Sequence, residues 1–194
     1  AAILNISTGT DGNPRTFTAS VYFSSAVYGA WVEVASATLV SSTSWTFASD
    51  VVNSSAAYWV QVNMLQNTAE GNPYVSVNGV TSGYRQSHRA VCDNSAVIQN
   101  YSTGGTGLKV LSDDGAVGQQ AGQPYFAEIF INQSYPAGRV QAFARGVMIT
   151  ATPINCYTDG HSTLPTATGL SSLGFTANGG TITGSIKLYR RWDK

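Results

Sequence analysis

The sequence predicts an all-β protein, and three observations carry that prediction. Of the 194 residues, 22 are Ser, 20 are Thr and 20 are Gly, about a third of the chain. Ser and Thr compete for backbone hydrogen bonds and Gly loses the most entropy on ordering, so this mixture disfavours helices. Ten Tyr, seven Phe and four Trp favour strands. Apolar and polar residues also alternate with period 2 in several segments, as half-buried strands require.

The length and the apolar content indicate one domain with a substantial core. A chain of 194 residues suits a single domain, and 43% hydrophobic residues exclude a disordered chain. About eight to ten short strands, spaced roughly 8–15 residues apart, are typical of an antiparallel β-sandwich. The loops expected at 104–107, 113–122 and 157–169 are long for a meander, which favours a jelly roll. We therefore predict a single β-sandwich domain over residues 1–194, with a short N-terminal arm.

Strands in the first half are read from alternation and from turn signals. The expected strands are Thr16–Phe23, Ala30–Val40, Tyr58–Met64 and Tyr74–Val77, with shorter ones at Ala90–Cys92, Ala96–Gln99 and Leu108–Leu111. Asn78-Gly79 directly after the fourth of these is a strong turn signal. No window of ten or more residues shows a helical period, although residues 50–57 allow one helical turn.

Strands in the second half have a clearer pattern. Tyr125–Ile131 is an almost continuous apolar run, which predicts a central strand. The segment Arg139–Thr150 alternates strictly at its start. The last predicted strand, Ile182–Tyr189, places its Ile and Leu side chains on one face and its Thr, Ser, Lys and Tyr side chains on the other.

The charge balance limits the classes of partner. Ten basic and ten acidic residues give a formal net charge of zero, whereas a nucleic-acid binder normally carries a basic excess. No apolar run reaches the length of about 18 residues that a membrane span needs. The first residues lack the features of a signal peptide, so we expect a complete chain made in a cytoplasm. A surface so poor in charge opposes association only weakly, and we expect a homo-oligomer.

The positions of the two cysteines in the sequence do not indicate a metal site or a redox motif. Cys92 and Cys156 are far apart and have no CxxC spacing. Two buried thiols are the favoured interpretation, and a single disulfide is the alternative. We expect no metal site.

Residues that could support catalysis are few. His88 and His161 are the two histidines, and Asp159, His161 and Ser162 form a superficial Ser/His/Asp set. Catalytic triads are assembled from distant segments, and the chain has no GxSxG elbow, so we expect no enzyme. The glycine-rich stretch at 104–107 precedes a strand rather than a helix, which argues against a phosphate site and a cofactor. The acidic stretch 113–115 is expected to be a solvated turn.

The C-terminal region carries a resemblance to a known class of protein. Residues 180–189 read GTITGSIKLY, preceded by Phe175. This strand resembles the C-terminal end of bacteriophage virion structural proteins of the decoration, head-fibre and tail-fibre type. In those proteins the strand closes a jelly roll, and the proteins are usually trimers. They often continue with Gly after Leu-Tyr, whereas residues 190–194 here read RRWDK.

Two basic clusters are candidate contact residues. One contains Arg85 and Arg89, and the other contains Arg190, Arg191 and Trp192. Arg, Tyr and Trp are enriched at the energetic centres of protein interfaces, although a plain solvated surface is an open alternative for both clusters.

The sequence as a whole predicts a non-enzymatic virion component. The leading hypothesis is a capsid decoration, or cement, protein, made in the host cytoplasm. It would form a trimer and bind the major capsid protein on the outside of the head. One alternative is a tail-fibre or head-fibre domain that binds a receptor. Another is a lectin-like module for host glycan, with an aromatic platform from residues such as Trp31, Trp45 and Trp59.

Overall fold

The computed structural model describes residues 30–48, 51–52, 56–66, 73–93, 97–110, 122, 124–134, 139–149, 155–164, 169–177 and 180–192. Every regular element within these ranges is a strand, and all the strands pair antiparallel in two sheets that pack against each other. The predicted all-β fold and antiparallel sandwich are confirmed. The jelly-roll topology stays a prediction.

Twelve strands make up the two sheets. Their bounds are β1 Val32–Ser42, β2 Ser44–Phe47, β3 Ala56–Gln66, β4 Tyr74–Val77, β5 Tyr84–Cys92, β6 Val97–Gly105, β7 Leu108–Lys109, β8 Pro124–Ser134, β9 Arg139–Ile149, β10 Asn155–Leu164, β11 Leu173–Thr176 and β12 Ile182–Trp192. The larger sheet has the order β1-β12-β3-β8-β9-β10-β5-β6, and the smaller sheet has the order β2-β11-β4-β7. The predicted central strand, now β8, lies inside the larger sheet between β3 and β9.

The larger sheet has a buried inner face and an open outer face. Successive side chains of a strand point to opposite faces, and β9 follows this rule strictly: its even-numbered residues from Val140 to Met148 are buried, and its odd-numbered residues from Arg139 to Val147 are exposed. The inner face packs against the smaller sheet, and residues such as Tyr58, Ile129 and Phe175 are buried between the two. We call the opposite side of the larger sheet the outer face.

The Asn78-Gly79 turn is confirmed. Both residues have positive φ, 53° and 71°, which Asn and Gly adopt more readily than other residues. The Val80 amide donates to the Val77 carbonyl oxygen at 2.9 Å across the turn. At residues 50–57, the amides of Val51 and Val52 donate to the Ala48 carbonyl oxygen, and β3 begins at Ala56. The predicted strand Thr16–Phe23 lies outside the described residues.

The predicted loop at 157–169 is wrong, because most of it belongs to strand β10. Between the buried Cys156 and Leu164, its inward-facing residues are Thr158, Gly160 and Ser162, which are small or polar although they are buried. The strand therefore has no apolar alternation for sequence reasoning to detect. The short strands β2 and β11 were also missed, and β5 begins at Tyr84 rather than at Ala90.

The expectation of two free thiols is also wrong, because Cys92 and Cys156 form a disulfide. The two residues are direct cross-strand partners on β5 and β10. Residues separated by 64 positions become neighbours only when β5 and β10 pair, so their spacing in the sequence could not reveal the bond.

Candidate functional site

The outer face of the larger sheet is ordered into rows of similar side chains. In antiparallel strands, directly opposed residues point to the same face of the sheet. A series of opposed residues across several strands therefore forms a row on one face. The registers of β12, β3, β8, β9, β10 and β5 align three such rows side by side. Each row has its own chemistry.

The first row, which we call the aromatic row, consists of Tyr189, Trp59, Phe130 and Phe143. The Trp59 ring stacks against Tyr189 at 4.7 Å and against Phe130 at 5.7 Å between centroids. The Arg145 guanidinium lies 5.6 Å from the Phe130 centroid, within the range of a cation–π contact. Tyr189, Trp59 and Phe130 therefore form a continuous stack of rings across three strands.

The second row, the ion-pair row, consists of Glu128, Arg145, Asp159 and Arg89 on four adjacent strands. The nitrogen–oxygen distances are 2.6 Å for Arg145–Glu128 and 2.7 Å for Arg89–Asp159. Pairs on an exposed surface stabilise a fold by only about 0–1 kcal/mol. Their main effect is that the signs alternate, so this part of the face is electrically neutral without any partner.

A further ion pair lies at the β1 edge. The Lys187 ammonium is 3.1 Å from a Glu33 carboxylate oxygen. This hydrogen bond lowers the pKa of Glu33 and raises the pKa of Lys187. Both charges are thereby neutralised locally, as in the ion-pair row.

The third row, the apolar row, consists of Phe126, Val147, Tyr157 and Val91. These side chains are 39%, 52%, 44% and 38% exposed, respectively. Four neighbouring apolar side chains left open to water on one sheet face form a patch of the kind found at protein contacts.

A groove opens at the opposite side of the aromatic row from the apolar row. Its volume is about 530 Å³, within the range of about 300–1,000 Å³ of small-molecule sites. We call it the amide groove, and the side chains that define it here are Trp31, Phe130, Phe143, Asn132, Gln141, Thr163, His161 and Arg191. Trp31 directly precedes β1, yet its ring lies 6.0 Å from Trp59 and 6.1 Å from Phe130, so this side chain lies over the outer face.

The predicted contact arginines are placed in different surroundings. Arg85 and Arg89 are exposed on the outer face of β5, and Arg89 pairs with Asp159, whose hydrogen bond and charge raise the pKa of Arg89. The Arg191 guanidinium lies 5.0 Å from the Trp31 ring centroid and lines the amide groove. Arg190 has Tyr58 as its partner in β3, on the other face.

The segment 190–192 continues the last strand. Its residues pair with β3, with Trp192 opposite Ala56, so the strand extends three residues beyond the predicted end. The Trp192 side chain lies outside what the structure describes.

The three tryptophans proposed as a sugar platform do not form one common surface. Trp31 and Trp59 are edge-on neighbours, whereas Trp45 lies on β2 in the smaller sheet beside Phe47. Both faces of Trp59 are covered by Phe130 and Tyr189. A sugar stacks on an open ring face, so Trp59 cannot serve as the platform.

The superficial set of Asp159, His161 and Ser162 is divided by the strand that carries it. Asp159 and His161 point to the outer face, and Ser162 points inward. The Ser162 hydroxyl instead lies 3.3 Å from His88 Nε2, and the two side chains are only 2% and 5% exposed. Sequence reasoning missed this pair, because only the register between β5 and β10 brings the residues together. The Ser162 side chain is therefore almost entirely closed off from solvent.

The described part of the chain holds neither a metal-binding cluster nor a membrane-spanning helix. No group of three or more His, Cys, Asp or Glu side chains there could hold a metal ion. None of its elements is a helix long and apolar enough to span a bilayer.

The sequence predicts part of the arrangement of side chains in the rows and the groove. The alternation of Gln141, Phe143 and Arg145 predicted that these three side chains share a face, which the structure confirms. Which residues of β8 and β10 stand beside them depends on the register. Comparison of the chain with family models, with curated proteins and with solved structures yields no match, so the geometry of the outer face is what carries a functional conclusion.

Proposed function

We propose that this chain is a non-enzymatic structural protein that associates through the apolar row of its outer face. The carrying observation is that Phe126, Val147, Tyr157 and Val91 are exposed to water side by side on one face of the larger sheet. Burying such side chains in an interface removes apolar surface from water, which stabilises the complex by about 25 cal/mol per Å² of buried apolar area. Together with the C-terminal resemblance, this supports a bacteriophage virion component of the capsid decoration type.

The first partner of the apolar row is a second copy of the chain. The neighbouring ion-pair row is neutral in itself, because Glu128 and Asp159 already have their arginines. A neighbouring copy can therefore pack on this face without repulsion between like charges. The zero net charge of the whole chain also opposes association only weakly. We propose a trimer as the assembled form.

The second partner is the major capsid protein. With few charges, the surface binds by packing and by neutral hydrogen bonds, so the association depends little on salt. A trimer on a symmetric lattice repeats each contact, and multivalency multiplies modest affinities. Binding to the assembled head alone stabilises the head by mass action.

The disulfide supports a location on the outside of a particle. Disulfides persist in oxidising surroundings, which include virion surfaces, and are rare in proteins that remain in a cytosol. The Cys92–Cys156 bond would then form after synthesis in the host cytoplasm.

The self-association is tested with a matched pair of valine variants. Val147 lies in the apolar row and Val32 on the edge strand β1, and both side chains are 52% exposed. We expect Val147→Asp to weaken the oligomer at least tenfold in sedimentation equilibrium, because it introduces a charge that the contact would bury. Val32→Asp should leave the oligomer unchanged. A monomeric wild-type chain at micromolar concentration, or equal effects of both variants, contradicts the proposal.

The capsid role is tested on particles with and without the protein. We expect decorated heads to withstand higher temperature than bare heads, at low and at high salt alike, and Val147→Asp to remove the difference. Equal stability of the two particles, or location of the protein at the tail tip in electron micrographs, contradicts decoration and favours the receptor-binding alternative.

A further inference from the structure

We propose that the amide groove binds a hydroxyl-rich oligosaccharide. This inference goes beyond self-association and capsid binding, because the groove lies on the other side of the aromatic row from the apolar row and is lined by different residues.

The ring that a sugar would contact is Phe143. A sugar presents its C–H groups as an apolar face, which packs on an uncovered aromatic ring. Phe143 is 45% exposed and lines the groove, whereas the faces of Trp59 are covered by its stacked neighbours. Trp31 lines the groove as well and is held in place by edge contacts to Trp59 and Phe130 and by Arg191 above its ring.

The polar side chains form a short ladder across three strands. Asn132 on β8 is opposite Gln141 on β9, which is opposite Thr163 on β10. Neighbouring strands lie about 4.8 Å apart, so the three groups follow each other at nearly equal intervals. The carboxamides of Asn132 and Gln141 each have a hydrogen-bond donor and an acceptor, and the Thr163 hydroxyl both donates and accepts. Such a ladder matches a chain of sugar hydroxyls, each of which also donates and accepts.

The charges in the groove disfavour a cationic ligand. Among the described residues that line it none is acidic, and its permanent cation, Arg191, lies against the Trp31 ring. A neutral oligosaccharide fits this lining best. His161 at the margin adds another nitrogen that can hydrogen-bond.

The test begins with the full-length protein on an array of neutral hexose, N-acetylhexosamine and uronic-acid oligosaccharides. The oligosaccharide with the strongest signal is then titrated calorimetrically against the wild-type chain and four variants. We expect Phe143→Ala to lower the affinity at least tenfold and Gln141→Ala to lower it about three- to tenfold, as the loss of one hydrogen bond implies. Both side chains are exposed, so neither substitution removes part of the core.

Two controls separate the groove from the rest of the face. Tyr101 is an aromatic residue on β6 outside the groove, and it is 71% exposed. We expect Tyr101→Ala to leave the affinity within twofold of the wild-type value. Val147→Asp should weaken self-association at least tenfold and retain oligosaccharide binding, so the two proposals fail independently. Absence of binding to every member of the array overturns the inference, and so does binding that Phe143→Ala and Gln141→Ala leave intact.

Discussion

Ser162 and His161 are adjacent in sequence but lie on opposite faces of the larger sheet. Ser162 meets His88 inside the sandwich at 3.3 Å, and His161 lines the amide groove outside. The alternation of a strand enforces this separation. A sequence motif of neighbouring Ser and His on one strand therefore cannot form a catalytic pair.

The burial of Ser162 predicts that it is not a reactive nucleophile. We expect no covalent adduct at Ser162 after incubation of the folded protein with a fluorophosphonate probe, because the hydroxyl is inaccessible. Intact-mass spectrometry provides the measurement. A stoichiometric adduct that disappears in Ser162→Ala would contradict both this prediction and the non-enzymatic function.

The His88 ring lies against Gly160, its cross-strand partner. This contact predicts that any larger side chain at position 160 destabilises the fold. A Cβ at position 160 would overlap the His88 ring, whereas a Cβ at Gly169 would meet open space. We expect Gly160→Ala to lower the free energy of unfolding by about 1–3 kcal/mol, the usual cost of overpacking. Gly169→Ala should change it by less than about 0.5 kcal/mol, as surface substitutions do. Urea unfolding measures both, and equal values for the two variants refute the explanation.

The Tyr84 hydroxyl connects the two sheets and predicts the cost of removing it. It accepts a hydrogen bond from the Val77 amide at 2.8 Å and donates to the Val80 carbonyl oxygen at 3.1 Å. In Tyr84→Phe the buried Val77 amide would lose its acceptor, so we expect a loss of about 1–3 kcal/mol of stability. Tyr101→Phe, at an exposed position, is the control. A change below about 0.5 kcal/mol for Tyr84→Phe would show that water replaces the hydroxyl.

The disulfide predicts that the stability depends on redox conditions. The bond closes a loop across a separation of 64 residues. In the chain-entropy account, a loop of this size stabilises the fold by about 4 kcal/mol, and measured values are typically about 2–4 kcal/mol. We expect the double variant Cys92→Ser, Cys156→Ser to lose that amount in denaturant unfolding. A reducing agent should lower the wild-type stability similarly and leave the double variant unaffected.

Two buried tyrosines predict weaker folding at alkaline pH. Burial raises the pKa of Tyr125 and of Tyr84 above the value of about 10 for an exposed phenol. Their contribution to stability is therefore complete below pH about 10 and decreases as the pH rises above it, because only the unfolded chain then releases these protons.

The contribution of Tyr125 is measured by comparison with Tyr125→Phe. Above pH about 10 we expect the wild-type chain to lose up to about 1.4 kcal/mol per pH unit more than the variant. Urea unfolding at pH 8, 10 and 11 gives the comparison, in which all other titrating groups cancel. Parallel curves for the two proteins contradict the prediction.

Local sequence patterns were enough to predict most of the longer strands, one turn and which side chains share a strand face. The alternation in Tyr58–Met64 and in β9, the Asn78-Gly79 turn and the apolar run of β8 depend on neighbours in the chain, so period and turn chemistry identify them. The tertiary structure alone decided the strand order and the register. Those in turn decided the Cys92–Cys156 bond, the Ser162–His88 pair, and the alignment of Asn132, Gln141 and Thr163 along the groove. Strand β10 shows the physical reason. Between Cys156 and Leu164 its buried side chains are small or polar, so this stretch is recognised as a strand only by the hydrogen bonds and packing that β5 and β9 supply.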